Sequence, residues 1–311
     1  MRVAIIGRSE LMFNTALLVS KLGYEIPLVI TAKESPEFKV TAKDFEVFSK
    51  NINATFINTS KINTTEVKDI LKSIGKIDIA VSINYSGVIS QEIIDFFEIG
   101  ILNAHGGDLP RYRGNACQAW AIINGEDSIG LCIHKMVGGE LDSGDIINRE
   151  YLPIDINTKI GEVYEWMNNS IPDMIAESIK KLTEDVAYFL AQQSKDPKDA
   201  LRCYPRTPGD GEINWNNSNV DILRLINASG EPFSGAYSTY NGSKLIIWRA
   251  ELYEDNERYL STSGQIASIN KEGFIIVITG RGKLKITEIE YEGHRTVKIN
   301  EVIKSIRIKL K

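Results

Sequence analysis

Cysteine is scarce in this 311-residue chain, which carries only Cys117, Cys132 and Cys203. Their odd number and lack of metal-type spacing argue against a disulfide scaffold and point to the reduced thiols of a cytoplasmic protein. Histidine is equally scarce, with His105, His134 and His294, so no dedicated transition-metal centre is expected. No apolar run approaches the roughly 18 residues of a membrane span. The opening Met1-Arg2-Val3-Ala4-Ile5-Ile6-Gly7 has neither the long apolar run nor the cleavage site of a signal peptide. Positive charge is not in excess either. The net charge of −5 gives no general pull towards nucleic acid or an anionic membrane. The Gly-x-Gly-x-x-Gly fingerprint is missing after the first apolar run, where Gly7 stands alone, so a dinucleotide cofactor is unsupported. What remains, 43% hydrophobic and 25% charged, is the composition of an ordinary soluble globular protein. At roughly 100–200 residues per domain, the length leaves room for two.

The chemically able side chains are concentrated between Gly100 and Asp145. Ile101-Leu102 is a short apolar run of the kind a buried strand makes. It leads into Asn103 and His105, then into a turn-rich loop from Gly106 to Gly114. Residues two apart in an extended chain face one side, so Asn103 and His105 can point together into a site at a strand end. A helix is expected over about 115–124 and a strand over about 129–137, running into Leu141-Asp142-Ser143-Gly144-Asp145.

These residue types suit the transfer of an acyl group to an amine. That reaction passes through a tetrahedral, negatively charged intermediate, and an Asn amide and an imidazole can both hydrogen-bond the oxyanion. A nearby carboxylate, Asp142, can fix the imidazole and raise its pKa, or relay the proton that the amine loses. Each motif alone has a plainer reading, a satisfied strand end or a simple turn. Their combination in one stretch is what points to a site.

Asn103-x-His105, the loop Leu109-Pro110-Arg111-Tyr112-Arg113-Gly114 and Leu141-Asp142-Ser143-Gly144-Asp145 resemble, in order and spacing, the formyltransferases that use 10-formyltetrahydrofolate. The resemblance implies that Asn103, His105 and Asp142 form the catalytic trio. It places the folate by Tyr85, Val88 and Ile89, largely through main-chain groups, and by Gly139, Leu141 and Asp145. It gives Asp108, Arg111 and Arg113 to the acceptor side. Family members often have Ser-Leu-Leu-Pro where this chain has Gly107-Asp108-Leu109-Pro110, and Gly138-Gly139-Glu140 holds an extra residue.

The rest of the chain is read in order. Arg2–Ile6 is a buried strand, Leu11–Leu22 a helix and Tyr24–Thr31 a second strand, the opening of a doubly wound sheet. Arg8 and Ser9 then sit at a strand end, either as a plain surface turn or near a ligand's phosphates. A short helix at 44–49, a strand at 54–57, a helix at 64–74 and the apolar strand 77–83 follow. Asn84–Ile89 lies at the end of that strand, where open α/β sheets bind ligands; Val88 and Ile89 either pack on a pterin or begin the next helix, 91–97. Ile160, Val163, Met167, Ile171, Ile175 and Ile179 keep helical spacing, with Pro172 kinking that helix or starting another. The domains expected are a Rossmann-like, mostly parallel twisted sheet over 1–190, a linker over 191–212 and a smaller OB-like β-barrel over 213–311. The barrel comes from short alternating strands at about 244–250, 264–269, 274–279 and 284–291.

Two acceptors compete. Arg206–Trp215 and the Lys244–Arg249 strand resemble the branch of the family that N-formylates nucleotide-linked amino sugars for cell-surface glycans. Methionyl-tRNA formyltransferases, the alternative, usually carry a basic loop after the second strand, and 31–51 here has no basic block. From Arg206 onward, 15 Lys/Arg face 13 Asp/Glu, a weak footing for tRNA. The resemblance thus implies a cytoplasmic enzyme using 10-formyltetrahydrofolate as formyl donor and no metal, with a nucleotide-linked amino sugar as partner. A dimer is compatible with it.

Overall fold

The computed structural model describes residues 1–311. The first strand, β1 (Val3–Gly7), is buried throughout, as an apolar run covered on both faces must be. It is followed by α1 (Ser9–Lys21), β2 (Leu28–Thr31), α2 (Ala42–Asn51), β3 (Thr55–Asn58), α3 (Thr65–Ile74), β4 (Ile79–Ile83), α4 (Gln91–Ile94) and β5 (Ile101–His105). Then come β6 (Tyr112–Gly114), α5 (Cys117–Asn124), β7 (Ser128–Lys135), β8 (Ile146–Pro153), α6 (Ile160–Glu184) and β9 (Leu201–Cys203). Side-chain oxygens start several helices: Thr64 Oγ1 accepts from the Val67 N–H, and Thr41 with Asp44 forms a capping box on α2.

Seven strands form one sheet in the order β3-β2-β1-β4-β5-β7-β8. The pairs β2–β3, β1–β2, β1–β4 and β4–β5 are parallel, and β7 joins β5 antiparallel. The order reverses between β1 and β4, the switch point at which doubly wound sheets open a crevice. The apolar run ending at Ile83 and the Asn-x-His run are neighbours, with Val81 opposite Leu102 and Ser82 opposite Asn103. The mostly parallel α/β sheet expected from the sequence is therefore present. Pro172 lies inside a single helix and begins no second one. The six residues at helical spacing, Ile160 to Ile179, are all buried, so packing of that stripe holds the helix together through the one missing donor.

By compactness the chain divides into a unit of residues 1–117, 129–152 and 164–203 and a unit of 118–128, 153–163 and 204–311. Residues 201–203 belong to the first, where β9 pairs in parallel with β6. The second holds α7 (Asn219–Ser229), β10 (Ala236–Tyr240), β11 (Ser243–Tyr253), β12 (Ile266–Ile269), β13 (Ile275–Ile278), β14 (Lys283–Tyr291), β15 (His294–Thr296) and α8 (Ile299–Val302). Its antiparallel sheet runs β10-β11-β14-β13-β12, with β15 added to β14. The chain's last residues bridge the two edges. Thr239 and Lys311 exchange main-chain hydrogen bonds of 2.7 and 3.1 Å, and Leu310 N donates to Gly264 O at 2.9 Å. Both edges thereby gain partners, the ring-like closure that an OB-like barrel uses against edge pairing.

Candidate active site

The end of β5 carries the first two site residues. Asn103 and His105 lie two apart on one face, and the antiparallel register sets His134 of β7 opposite Asn103 and Cys132 opposite His105. Direct cross-strand partners meet on the same face, and Asn103 Nδ2 stands 3.1 Å from His134 Nε2. His134 Nδ1 is 2.9 Å from the Lys135 carbonyl. A carbonyl only accepts, so the proton is assigned to Nδ1, and Nε2 accepts from the Asn103 amide. One Asn103 N–H is thus used within the protein, on His134.

His105 is buried, and its Nε2 lies 2.7 Å from the Tyr112 carbonyl. The same argument puts a proton on Nε2 and leaves Nδ1 as the basic nitrogen of the neutral ring. Gly107 makes this bond possible: a Cβ there would stand 2.6 Å from both His105 Nε2 and Tyr112 O. Cys117 Sγ also approaches Nε2, at 3.6 Å.

Asp142 reaches the cluster from the loop between β7 and β8. Its backbone is left-handed, φ 47, a region that non-glycine residues occupy at some cost. Gly144 lets the loop press on β7, where a Cβ would lie 1.9 Å from Lys135 O. The carboxylate lies between two imidazoles, Oδ2 at 3.6 Å from His105 Nδ1 and Oδ1 at 3.6 Å from His134 Nε2, and Oδ2 accepts from Gly114 N at 2.9 Å. Burial acts to raise the Asp142 pKa, but the His105 and His134 rings and the Gly114 N–H outweigh it and hold the carboxyl well below the usual carboxylate range.

Two details differ from the sequence expectation for this pair. The Tyr112 carbonyl, in hydrogen-bond reach, orients His105, whereas the 3.6 Å to Asp142 is too long for a hydrogen bond. The His105 pKa is lowered rather than raised, because loss of solvation outweighs the Asp142 charge. The ring is therefore neutral near pH 7 and able to take a proton on Nδ1, where the carboxylate stabilises the imidazolium.

The linkage has a testable sign. Asp142's folded-state pKa lies below its unfolded one. Its contribution to stability is therefore present above the ordinary carboxylate value and is lost as pH falls through the folded value. Asp142→Asn should lower Tm at neutral pH, and thermal melts should show the gap narrowing below about pH 4. A gap unchanged to about pH 3 would contradict the assignment.

The other residues singled out in the sequence divide into two groups. Val88 is 79% exposed and Leu141 37% exposed. Their segments adjoin, because Gly138 N donates to Gln91 Oε1 at 2.9 Å. Gly139, at φ 79, is an exposed turn of the second segment. Ile89, in contrast, is buried in the core with Ile62 and Ile93, so its side chain does not face a ligand. Tyr85 is half-buried: its hydroxyl donates to Thr59 O at 2.7 Å, and burial pushes its pKa up to about 12. Asp145 closes the loop through its carbonyl, which accepts from Lys135 N at 2.9 Å.

On the expected acceptor side, Asp108 accepts from the Tyr151 hydroxyl at 2.8 Å, and Arg111 is exposed with its guanidinium 5.0 Å from the Tyr112 ring centroid. Arg113 is turned inward, donating to Gln193 and Ser194, so that its charge serves the protein. Arg8 donates to the carbonyls of Asn84 and Lys33 at 2.8 and 2.9 Å. Ser9 is buried, its hydroxyl accepting from Asn84 Nδ2 at 3.1 Å. The first βα turn is thus stitched to the end of β4, and Ser9 does not present a hydroxyl to a phosphate. His134, Gly107, the Tyr112 carbonyl and Gln193 are site features that motif reading passed over. His134 alone had a signal, its place two residues after Cys132 in an alternating strand.

A buried imidazole, a deprotonated carboxylate and an amide donor are gathered at one sheet end, groups from which proton transfer and oxyanion stabilisation can be built. Residues 1–179 match the formyl transferase family and residues 206–307 match the formyl transferase C-terminal domain, and the chain belongs to that family. It is 27% identical over 307 residues to the methionyl-tRNA formyltransferase of Acetivibrio thermocellus, covering 97% of this chain and 96% of that one. The enzyme of the same name from Alkaliphilus metalliredigens is 29% identical, over 97% and 95%. Among solved structures, the sugar 3N-formyl transferase WlaRD, with dTDP and 5-N-formyl-THF, superposes with a TM-score of 0.67 at 19% identity, covering 92% of this chain and 97% of that one. HypX from Aquifex aeolicus, with tetrahydrofolic acid, gives 0.61 at 15% identity over 98% of this chain. The chain spans about half of HypX, 47% of its length.

Proposed function

We propose that this formyltransferase moves a formyl group from 10-formyltetrahydrofolate to the amine of a nucleotide-linked amino sugar, as a cytoplasmic step in cell-surface glycan synthesis. One observation favours this acceptor over tRNA. The connection from β2 to α2 carries Lys33 and Lys39 balanced by Glu34 and Glu37. It is also folded back on its own unit: the N–H groups of Lys39 and Val40 donate to Glu10, that of Ala42 donates to Glu34, and Phe38 lies under Arg8. A loop that enters a nucleic-acid groove needs uncompensated positive charge. The methionyl-tRNA reading is favoured by full-length likeness to the curated enzymes of that name. It stays as the second possibility.

The residues present suit a folate. Exposed Val88 and Leu141 lie on the adjoining segments joined by Gln91 and Gly138 and offer apolar surface to a ring system. The donor supplies the activated formyl carbon. Asn103 directs its second N–H at the oxygen on which charge develops. His105 Nδ1 takes the proton of the attacking amine and returns it to the folate nitrogen as that nitrogen's bond to the formyl carbon breaks, while Asp142 stays charged beside the ring. Solvated surface around a neutral amine would compete for that proton, which is one reason to bury His105.

The test is a panel of nucleotide-linked amino sugars plus methionyl-tRNA, each incubated with 10-formyltetrahydrofolate and read by mass spectrometry. Gain of one formyl group by a sugar nucleotide is expected. Formylation of the tRNA alone would replace this reading with the second.

A further inference from the structure

We infer that Gln193 is a positioning residue for this reaction: its side-chain amide fixes the main chain around Asp142 and so holds the carboxylate between the two imidazoles. The inference rests on the assignment of Asp142 to the chemistry. Gln193 is buried, and both polar atoms of its side chain are engaged. Nε2 donates to the Asp142 carbonyl at 2.9 Å and to the Gly144 carbonyl at 2.7 Å. Oε1 accepts from Arg113 Nη2 at 2.9 Å and Nε at 3.3 Å, and Nη2 also donates to Ser194 O at 2.9 Å.

The reason for such a grip lies in the loop itself. Asp142 has φ 47, and its neighbours Gly139, Glu140 and Leu141 are exposed. A conformation of that kind persists only where surrounding contacts over-determine it. One amide that spans the carbonyls of residues 142 and 144 fixes the 142–143 and 144–145 peptide planes, which bracket Ser143-Gly144. The adjacent residue pair of β6 completes the hold. Arg113 orients Gln193, while the N–H of Gly114 donates directly to Asp142 Oδ2 at 2.9 Å. Asp142 is thus held by its main chain through Gln193 and by its side chain through Gly114. Misplacing a catalytic group by about 1 Å can cost on the order of 10²-fold in rate, so the 3.6 Å spacings to both histidines depend on this frame.

A purely structural role, stapling residues 193 and 194 to Arg113, makes a different prediction, and Gln193→Glu separates the two. Glutamate keeps the acceptor and adds a charge for Arg113, but it turns a carboxylate oxygen instead of two N–H donors toward the Asp142 and Gly144 carbonyls. Transfer from 10-formyltetrahydrofolate would be measured with whichever acceptor, sugar nucleotide or methionyl-tRNA, the wild type formylates. Thermal melts would report folding. Gln193→Glu should lower kcat at least about 10-fold, with KM for the formyl donor changed less than about 3-fold. In an Asp142→Asn background it should add little, since both changes remove one function. Should Gln193→Glu fail to fold, Gln193→Met keeps the side-chain volume and carries the same expectations. A folded variant with kcat within about 2-fold of wild type overturns the inference. Near-wild-type turnover by Asp142→Asn would instead overturn the assignment on which it rests.

Discussion

Replacing His105 by alanine should lower kcat at least about 10²-fold while the chain stays folded. The buried ring keeps its proton on Nε2 through the Tyr112 carbonyl and turns a bare Nδ1 towards the Asp142 carboxylate. Cys117 beside it is no substitute, because its pKa is driven up, first by its hydrogen bond to Cys203 and then by burial. Asn103→Ala should cost about 10²–10³ in kcat, the usual loss for one oxyanion donor, and Asp142→Ala at least about 10²-fold. The effects should be strongly non-additive, since the three act as a unit. Asp145→Asn should cost less, because that residue holds the loop through its main chain. Steady-state kinetics with dichroism of each variant would check the series. Near-wild-type turnover by folded His105→Ala would move the chemistry elsewhere.

Gly107→Ala should be nearly as damaging, although position 107 carries no chemistry. An added Cβ would fall 2.6 Å from the His105 ring nitrogen, 2.6 Å from the Tyr112 carbonyl and 3.1 Å from Cys117 Cβ. Of these only the ring can swing, and swinging breaks the bond that sets its orientation. Overpacking of this kind costs about 1–3 kcal/mol in stability. The larger effect should be on kcat, about 10²-fold, with KM little changed. Melting curves and steady-state kinetics would separate the two effects. A variant with normal kcat would show that the Tyr112 bond does not orient His105 in turnover.

Much of this was legible in the sequence, for physical reasons. The buried strands β1, β4 and β5 are apolar runs closed by turn residues, and the alternating runs of the second unit show a period of two. Asn103 and His105 were paired by that same period. What the sequence could not show depends on register or on distance along the chain. His134 faces Asn103 only because β7 joins β5 antiparallel in one particular register. Gln193 lies 51 residues beyond Asp142, in a segment without periodicity, and nothing local ties the two. Ile89, Ser9 and Arg113 show the same dependence on neighbours in space. Their neighbours along the chain suggested a ligand, and their neighbours in space are the core, Asn84 and Gln193. The Asp142–His105 pair shows how magnitudes decide a direction. A carboxylate at 3.6 Å raises an imidazole pKa, but burial of the ring has the larger, opposite effect.

The most direct test follows the formyl group itself. Wild-type protein would be mixed with 10-formyltetrahydrofolate bearing an isotopic label in the formyl carbon, together with the acceptor identified by the panel, in a single-turnover quench experiment. The label should leave the folate and appear on the acceptor amine in equal amount, and it should remain on the folate when Asn103, His105 and Asp142 are all replaced by alanine. Transfer at wild-type rate by that triple variant, or release of the label as free formate by the wild type, would contradict the account.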